Sequence, residues 1–121
     1  MPHLRIEYST NIAARFDGAA VAQAGCDALL SSGVFNPPDS IKVRLVPVEH
    51  FRVGSGADHG FLHADLGMLS GRDTATKLRV TDALVRAIAP LVQPGPQVVQ
   101  VTADARDMDR DCYSKRLIPG A

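Results

Sequence analysis

One change of hydrophobic period occurs twice along this chain, in the same order, and it restricts the possible folds more than any other feature. Leu4, Ile6 and Tyr8 alternate with Arg5 and Glu7, the two-residue period of a strand that starts almost at the first residue. Ser9-Thr10-Asn11 is a run of helix-capping residues, and from Ile12 the spacing turns helical through Phe16, Ala19, Ala20 and Gln23 to Leu29 and Leu30. Gly18 and Gly25 weaken that helix, each by about 1 kcal/mol relative to Ala, and Gly33 is placed to stop it. Past the turn residues Asn36-Pro37-Pro38-Asp39, the stretch Ile41–Val53 alternates again. Ile41, Val43 and Leu45 face one way, Lys42 and Arg44 the other, and Pro47 marks an edge position or a bulge.

The order then repeats. Gly54-Ser55-Gly56-Ala57-Asp58 predicts a turn, and Phe61–Met68 a strand with Leu62, Ala64 and Leu66 on one face and Phe61, His63 and Asp65 on the other. Asp73 is a good N-cap for a second helix. Its apolar stripe is Leu78, Val85, Ile88 and Val92, widened by Leu84 and Leu91, and Pro90 and Pro94-Gly95-Pro96 end it. Val98–Thr102 predicts the last strand. From Asp104 to Arg116 both charge signs are dense, which reads as a solvated extension or as a segment that docks on another subunit.

These elements predict an α+β fold of order β-α-β-β-α-β. Residues 1–121 form one domain made of two β-α-β units, the first from Pro2 and the second from near Asp58. A four-stranded sheet with both helices on one face satisfies the layer rule and leaves the other face open. Arg5, Glu7, Lys42 and Arg44 belong on or near that open face, and a second copy of the chain would shelter it.

Charge and cysteine usage exclude several functions. Thirteen Lys and Arg balance thirteen Asp and Glu, so a nucleic-acid or anionic-membrane partner has no electrostatic support unless the charges segregate in space. Trp is absent and aromatics are 5%, against a base-stacking platform. The start has no signal-peptide layout and no apolar run approaches ~18 residues. Cys26 and Cys112 stand far apart and read as reduced thiols of a cytoplasmic protein, Cys26 as a small core residue. His59 and His63 share a strand face but lack the further ligands a metal needs, so neither metal nor cofactor is expected. No His and Asp arrangement supports Ser9 or Ser70 as a nucleophile.

Pro2 is where chemistry is expected. Methionine before proline is normally removed, and the mature chain then begins with a secondary amine. Burial and nearby cations both disfavour its charged form, which tunes it towards a general base at neutral pH. The dipeptide Met-Pro alone is common in ordinary chains; its context is what carries weight. Pro2-His3-Leu4-Arg5-Ile6-Glu7-Tyr8-Ser9-Thr10-Asn11-Ile12, Ser32-Gly33-Val34-Phe35, Ile41-Lys42-Val43-Arg44, Phe61-Leu62-His63 and Ser70-Gly71-Arg72 together resemble the tautomerase superfamily. The likeness is closest to the 5-carboxymethyl-2-hydroxymuconate isomerases.

The resemblance implies a homotrimer with an active site at each subunit boundary, a proline base and arginines that hold substrate carboxylates. The implied reaction moves a proton along a dienol di- or tricarboxylate to give a ketone, in bacterial degradation of homoprotocatechuate. Pro2 and Arg72 match the implied catalytic positions. Lys42 falls where an arginine is common, and lysine keeps the charge but loses the bidentate fork. Arg44, two residues on, shares its face, so Lys42 or Arg44 would hold substrate. Without the resemblance, Arg72 reads as a surface arginine beside a cap, and Lys42 and Arg44 as a solvated or salt-bridging face. The rival functions are another proline-based tautomerase or a dehalogenase, a non-catalytic trimeric binding module, and an unrelated ferredoxin-like regulatory domain.

Overall fold

The computed structural model describes residues 1–56 and 58–121. Its main elements are β1 (His3–Ser9), α1 (Gly18–Ser31), β2 (Lys42–Val48), β3 (His59–Leu69), α2 (Thr74–Ile88) and β4 (Val98–Met108). The sheet order is β2-β1-β3-β4. β1 and β2 run parallel, β3 and β4 run parallel, and β1 and β3 join the two pairs antiparallel. The strands of each β-α-β unit are therefore direct neighbours. A ferredoxin-like fold splits them, and that rival is set aside. Both units start with the same hydrogen bond. Lys42 N donates to Pro2 O (3.1 Å) in the first, and Val98 N to Asp58 O (2.9 Å) in the second.

The core lies between the sheet and the helices. Leu4, Ile6, Leu62, Ala64 and Leu66 alternate into it from the two central strands, as their spacing predicts. Pro47 lies in the outer strand β2, where a missing N–H costs no ladder bond on the open side.

The first helix differs from its sequence pattern. Thr10–Arg15 is a 3-10 turn, Phe16 is extended, and α1 begins only at Gly18. Two side chains explain the break. Ser9 does not cap the helix; its hydroxyl accepts from Phe61 N (2.9 Å) and ties the corner to β3. Asp17 is the cap instead, accepting from Ala19 N (3.0 Å). Gly18 thus opens the helix rather than weakening its middle. The buried stripe is Val21, Gly25 and Leu29, and Leu30 turns outward. In α2 the stripe is Val80, Leu84 and Ile88, while Leu78 is 59% exposed. Asp73 caps α2 as expected, accepting from Thr76 N (2.8 Å). Gly33, with φ +72°, ends the turn after α1.

The strand bounds also moved. β2 stops at Val48, short of the expected Val53, and β3 begins at His59. Of the expected turn 54–58, Ala57 lies outside the described residues. β4 continues to Met108, beyond the expected Thr102. Its charges obscured the alternation: Ala103 and Ala105 pack on the core, and Arg106 reaches across the open face to Asp65 (2.9 Å). Among the described residues no helix is long and apolar enough to cross a membrane.

Gly60 fits the 3-10 corner closely. A Cβ there would stand 2.6 Å from Ile12 Cγ2 and 2.9 Å from Ser9 Oγ. Gly60→Ala is expected to cost about 1–3 kcal/mol by overpacking. Urea unfolding checks this, and an unchanged midpoint would mean that the corner relaxes freely.

Candidate active site

The start of β1 gathers residues from four parts of the chain. Pro2 is fully buried, and its carbonyl accepts the first β2 hydrogen bond, which fixes Lys42 beside it. The Lys42 ammonium donates to Ser40 O (2.7 Å). Burial comes first in lowering its pKa, followed by Lys115 and Arg44.

Arg72 arrives from the loop between β3 and α2. Gly71, with φ +124°, makes the turn that a side chain would strain. The Arg72 guanidinium donates to Leu69 O (2.9 Å) and Val34 O (3.2 Å), and it lies 5.5 Å from the centre of the Phe35 ring. Two of its five N–H groups hold backbone carbonyls, so the fork is pre-set while further donors can meet an anion.

Arg44 stands to the side. It is exposed, and Nη2 donates to His3 Nδ1 (2.9 Å). Arginine has no acceptor, so Nδ1 must be unprotonated and His3 neutral. His3 Nε2–H then faces the Tyr113 hydroxyl (3.3 Å). Burial, Lys42, Arg44 and the chain terminus, in that order, lower the His3 pKa and keep the ring neutral.

The C-terminal segment supplies what the sequence pattern did not. Beyond β4, Arg110 donates twice to Ser70 O (2.7 and 3.1 Å), Tyr113 meets His3, and Lys115 Nζ donates to Met1 Sδ (3.2 Å). The charged tail is thus neither a free extension nor wholly strand. Its end folds back on the N-terminus of its own chain.

Met1's amine reports the combined field. Burial is the first cause that holds it below its ordinary value, followed by Lys42, Arg72, Lys115 and Arg110. Arg44 is not among these causes. A chain of zero net charge therefore has a cationic pole at the start of β1. Such a pole can bind an anion with several carboxylates and keep a nearby amine neutral.

The groove of about 620 Å³ between the helices has a different character. Its wall includes Ala24, Ala28, Ala83 and Ala87, and its Arg79 is tied to Ser32 O (3.0 Å).

No curated protein matches the sequence. Among solved structures, a 5-carboxymethyl-2-hydroxymuconate delta-isomerase superimposes with a TM-score of 0.82 at 25% identity, over 97% of this chain and 88% of that one. A 5-carboxymethyl-2-hydroxymuconate isomerase from Deinococcus radiodurans R1 gives a TM-score of 0.79 at 21% identity, over 95% and 88%. A fused 4-OT in its wild type symmetric trimer shares the fold at a TM-score of 0.61 and 21% identity, over 90% and 87%. The family pattern described as 5-carboxymethyl-2-hydroxymuconate isomerase matches residues 2–111. The chain therefore belongs to the 5-carboxymethyl-2-hydroxymuconate isomerase family, and its activity is of the isomerase/tautomerase type.

Proposed function

We propose that the protein ketonises a dienol di- or tricarboxylate of the 5-carboxymethyl-2-hydroxymuconate kind, with the nitrogen of Pro2 as general base. The observation that carries this reading is the set of cations around the chain terminus: Lys42, Arg72, Arg110 and Lys115 all lower the amine's pKa. Removal of Met1 moves the amine one residue inward, to Pro2, whose ring packs in the interior and whose carbonyl is paired with Lys42 N. The secondary amine takes a proton from the dienol and returns it at a distant carbon of the conjugated system. Arg72 holds a carboxylate and steadies the charge of the dienolate. Lys42 holds a second carboxylate as a point charge, and Arg44 orients His3 beside it. No cofactor enters this scheme, which needs only proton transfer.

The working unit in this reading is a homotrimer. The fused 4-OT relative is a symmetric trimer, and the open sheet face here carries polar and charged groups such as Arg5, Glu7, Asp65 and Arg106 that further copies would cover. Light scattering should report three chains per particle at micromolar concentration. A monomer would remove the shared site at the subunit boundary.

The central test is ketonisation of the dienol by mature protein, followed in the ultraviolet as the conjugated dienol becomes a shorter conjugated enone. Catalysis of a neutral short-chain enol alone would favour another tautomerase of the superfamily, and no catalysis of either would favour a binding module.

A further inference from the structure

The C-terminal segment is pinned at three points around the start of β1. Arg110 is fixed to Ser70 O by two hydrogen bonds of 2.7 and 3.1 Å. Tyr113 meets His3 Nε2 at 3.3 Å, with the two rings tilted by 59°. Lys115 Nζ reaches the Met1 thioether at 3.2 Å. Between the first two points the 3-10 turn Arg110–Cys112 is capped by Asp109, which accepts from Asp111 N (2.9 Å). The path of this segment is therefore set by its own hydrogen bonds as well as by β4.

The third contact is chemically mismatched. A thioether is a weak, uncharged acceptor, and an ammonium gains little from it. Met1 is also the residue whose loss the proposed mechanism requires. Once it is gone, Lys115 has no sulfur to meet, and the place that the Met1 side chain held next to Pro2 is open. A planar unsaturated acid approaching the Pro2 nitrogen would bring an oxygen to the same place.

We propose that Lys115 is a substrate-binding residue, whose ammonium takes a carboxylate in the place that the Met1 side chain holds before maturation. Specificity for a dianion would then come from two parts of the chain, with Arg72 on the loop between β3 and α2 and Lys115 on the C-terminal segment. This inference rests on the removal of Met1 and on the anionic substrate proposed above. It adds a contact from the tail, beyond the residues expected to bind substrate.

Lys115 is exposed, so the contact is weaker than a buried charge-assisted hydrogen bond. The probe is cis,cis-muconate, binding to mature, folded protein, followed by calorimetry beside the monocarboxylate sorbate. Lys115→Gln should weaken muconate binding by about 5- to 10-fold, and Lys115→Arg should restore most of it. The preference for muconate over sorbate should shrink in Lys115→Gln. In protein that keeps Met1, the same substitution should change nothing, because the thioether already fills the place.

Equal muconate affinity in mature parent and Lys115→Gln overturns the proposal, and so does a mature parent that does not bind muconate. The two readings can fail separately. Muconate binding that depends on Lys115, in a protein that does not ketonise the dienol, would refute the proposed reaction and leave the contact. Ketonisation with an unchanged KM in Lys115→Gln would refute the contact and leave the reaction.

Discussion

Protein that keeps Met1 is expected to ketonise the dienol about 10²–10⁴-fold more slowly than mature protein, the usual contribution of a general base. In the retained form the Pro2 nitrogen is an amide and has no lone pair to accept a proton. The Met1 amine lies one residue outward and is primary, and its thioether occupies the Lys115 ammonium. Mature protein should also show a characteristic pH profile. The base is the neutral amine, so kcat/KM rises with pH through the amine's ionisation. Burial, Lys42, Arg72, Lys115 and Arg110 lower the ionisation of the Met1 amine one residue outward, and the same cations face the Pro2 amine once Met1 is gone, so the rise should fall below the pH at which an exposed N-terminus titrates. Pro2→Ala should leave a primary amine and part of the activity. Intact mass identifies the two forms, and circular dichroism confirms that both are folded. Equal rates would falsify Pro2 as the base.

Arg72→Ala is the second large effect. A charge-assisted hydrogen bond lost to a carboxylate costs about 1.5–3 kcal/mol, or roughly 10- to 100-fold in kcat/KM for a dicarboxylate dienol. A neutral enol should lose far less. The tethers to Val34 O and Leu69 O go as well, and the contact with Phe35, so some stability is lost with them. Arg72→Lys separates the two effects, because it keeps the charge but not the fork. Equal losses on the charged and neutral substrates would make Arg72 a strut between the two loops and nothing more.

The element order and the central strands were legible because their alternation is a local property. Leu4 and Ile6 point inward whatever lies around them. The helix stripes were less legible. Gly25 is buried although it has no side chain, because α1 comes so close to Leu4 that a Cβ at Gly25 would stand 2.9 Å from Leu4 Cδ2. Hydrophobicity does not encode that closeness. Ser9 looked like a cap but satisfied an N–H 52 residues away, a choice that only the pairing of β1 with β3 makes available. Arg72 and Lys42 could be picked out by their family context, yet Arg110 and Lys115 could not. They sit in a mixed-charge segment whose composition is that of a solvated face, and only its return to β1 gives them a shared target.

The two matching hydrogen bonds at the starts of the units, Lys42 to Pro2 and Val98 to Asp58, have a consequence for how such a chain can divide its labour. They place Asp58 and Val98 at one end of the sheet as counterparts of Pro2 and Lys42 at the other. Arg15 even bridges to the carbonyls of Gln93 (2.7 Å) and Gln97 (2.8 Å) near that second corner, much as Arg72 bridges Val34 and Leu69. The scaffold is nearly symmetric, but an amino terminus occurs once per polypeptide. Joining two such halves in one chain leaves the second corner with an interior peptide nitrogen, a carboxylate and a neutral valine. That corner is relieved of proton transfer, and its sequence can drift towards bracing the sheet without any loss at the other end.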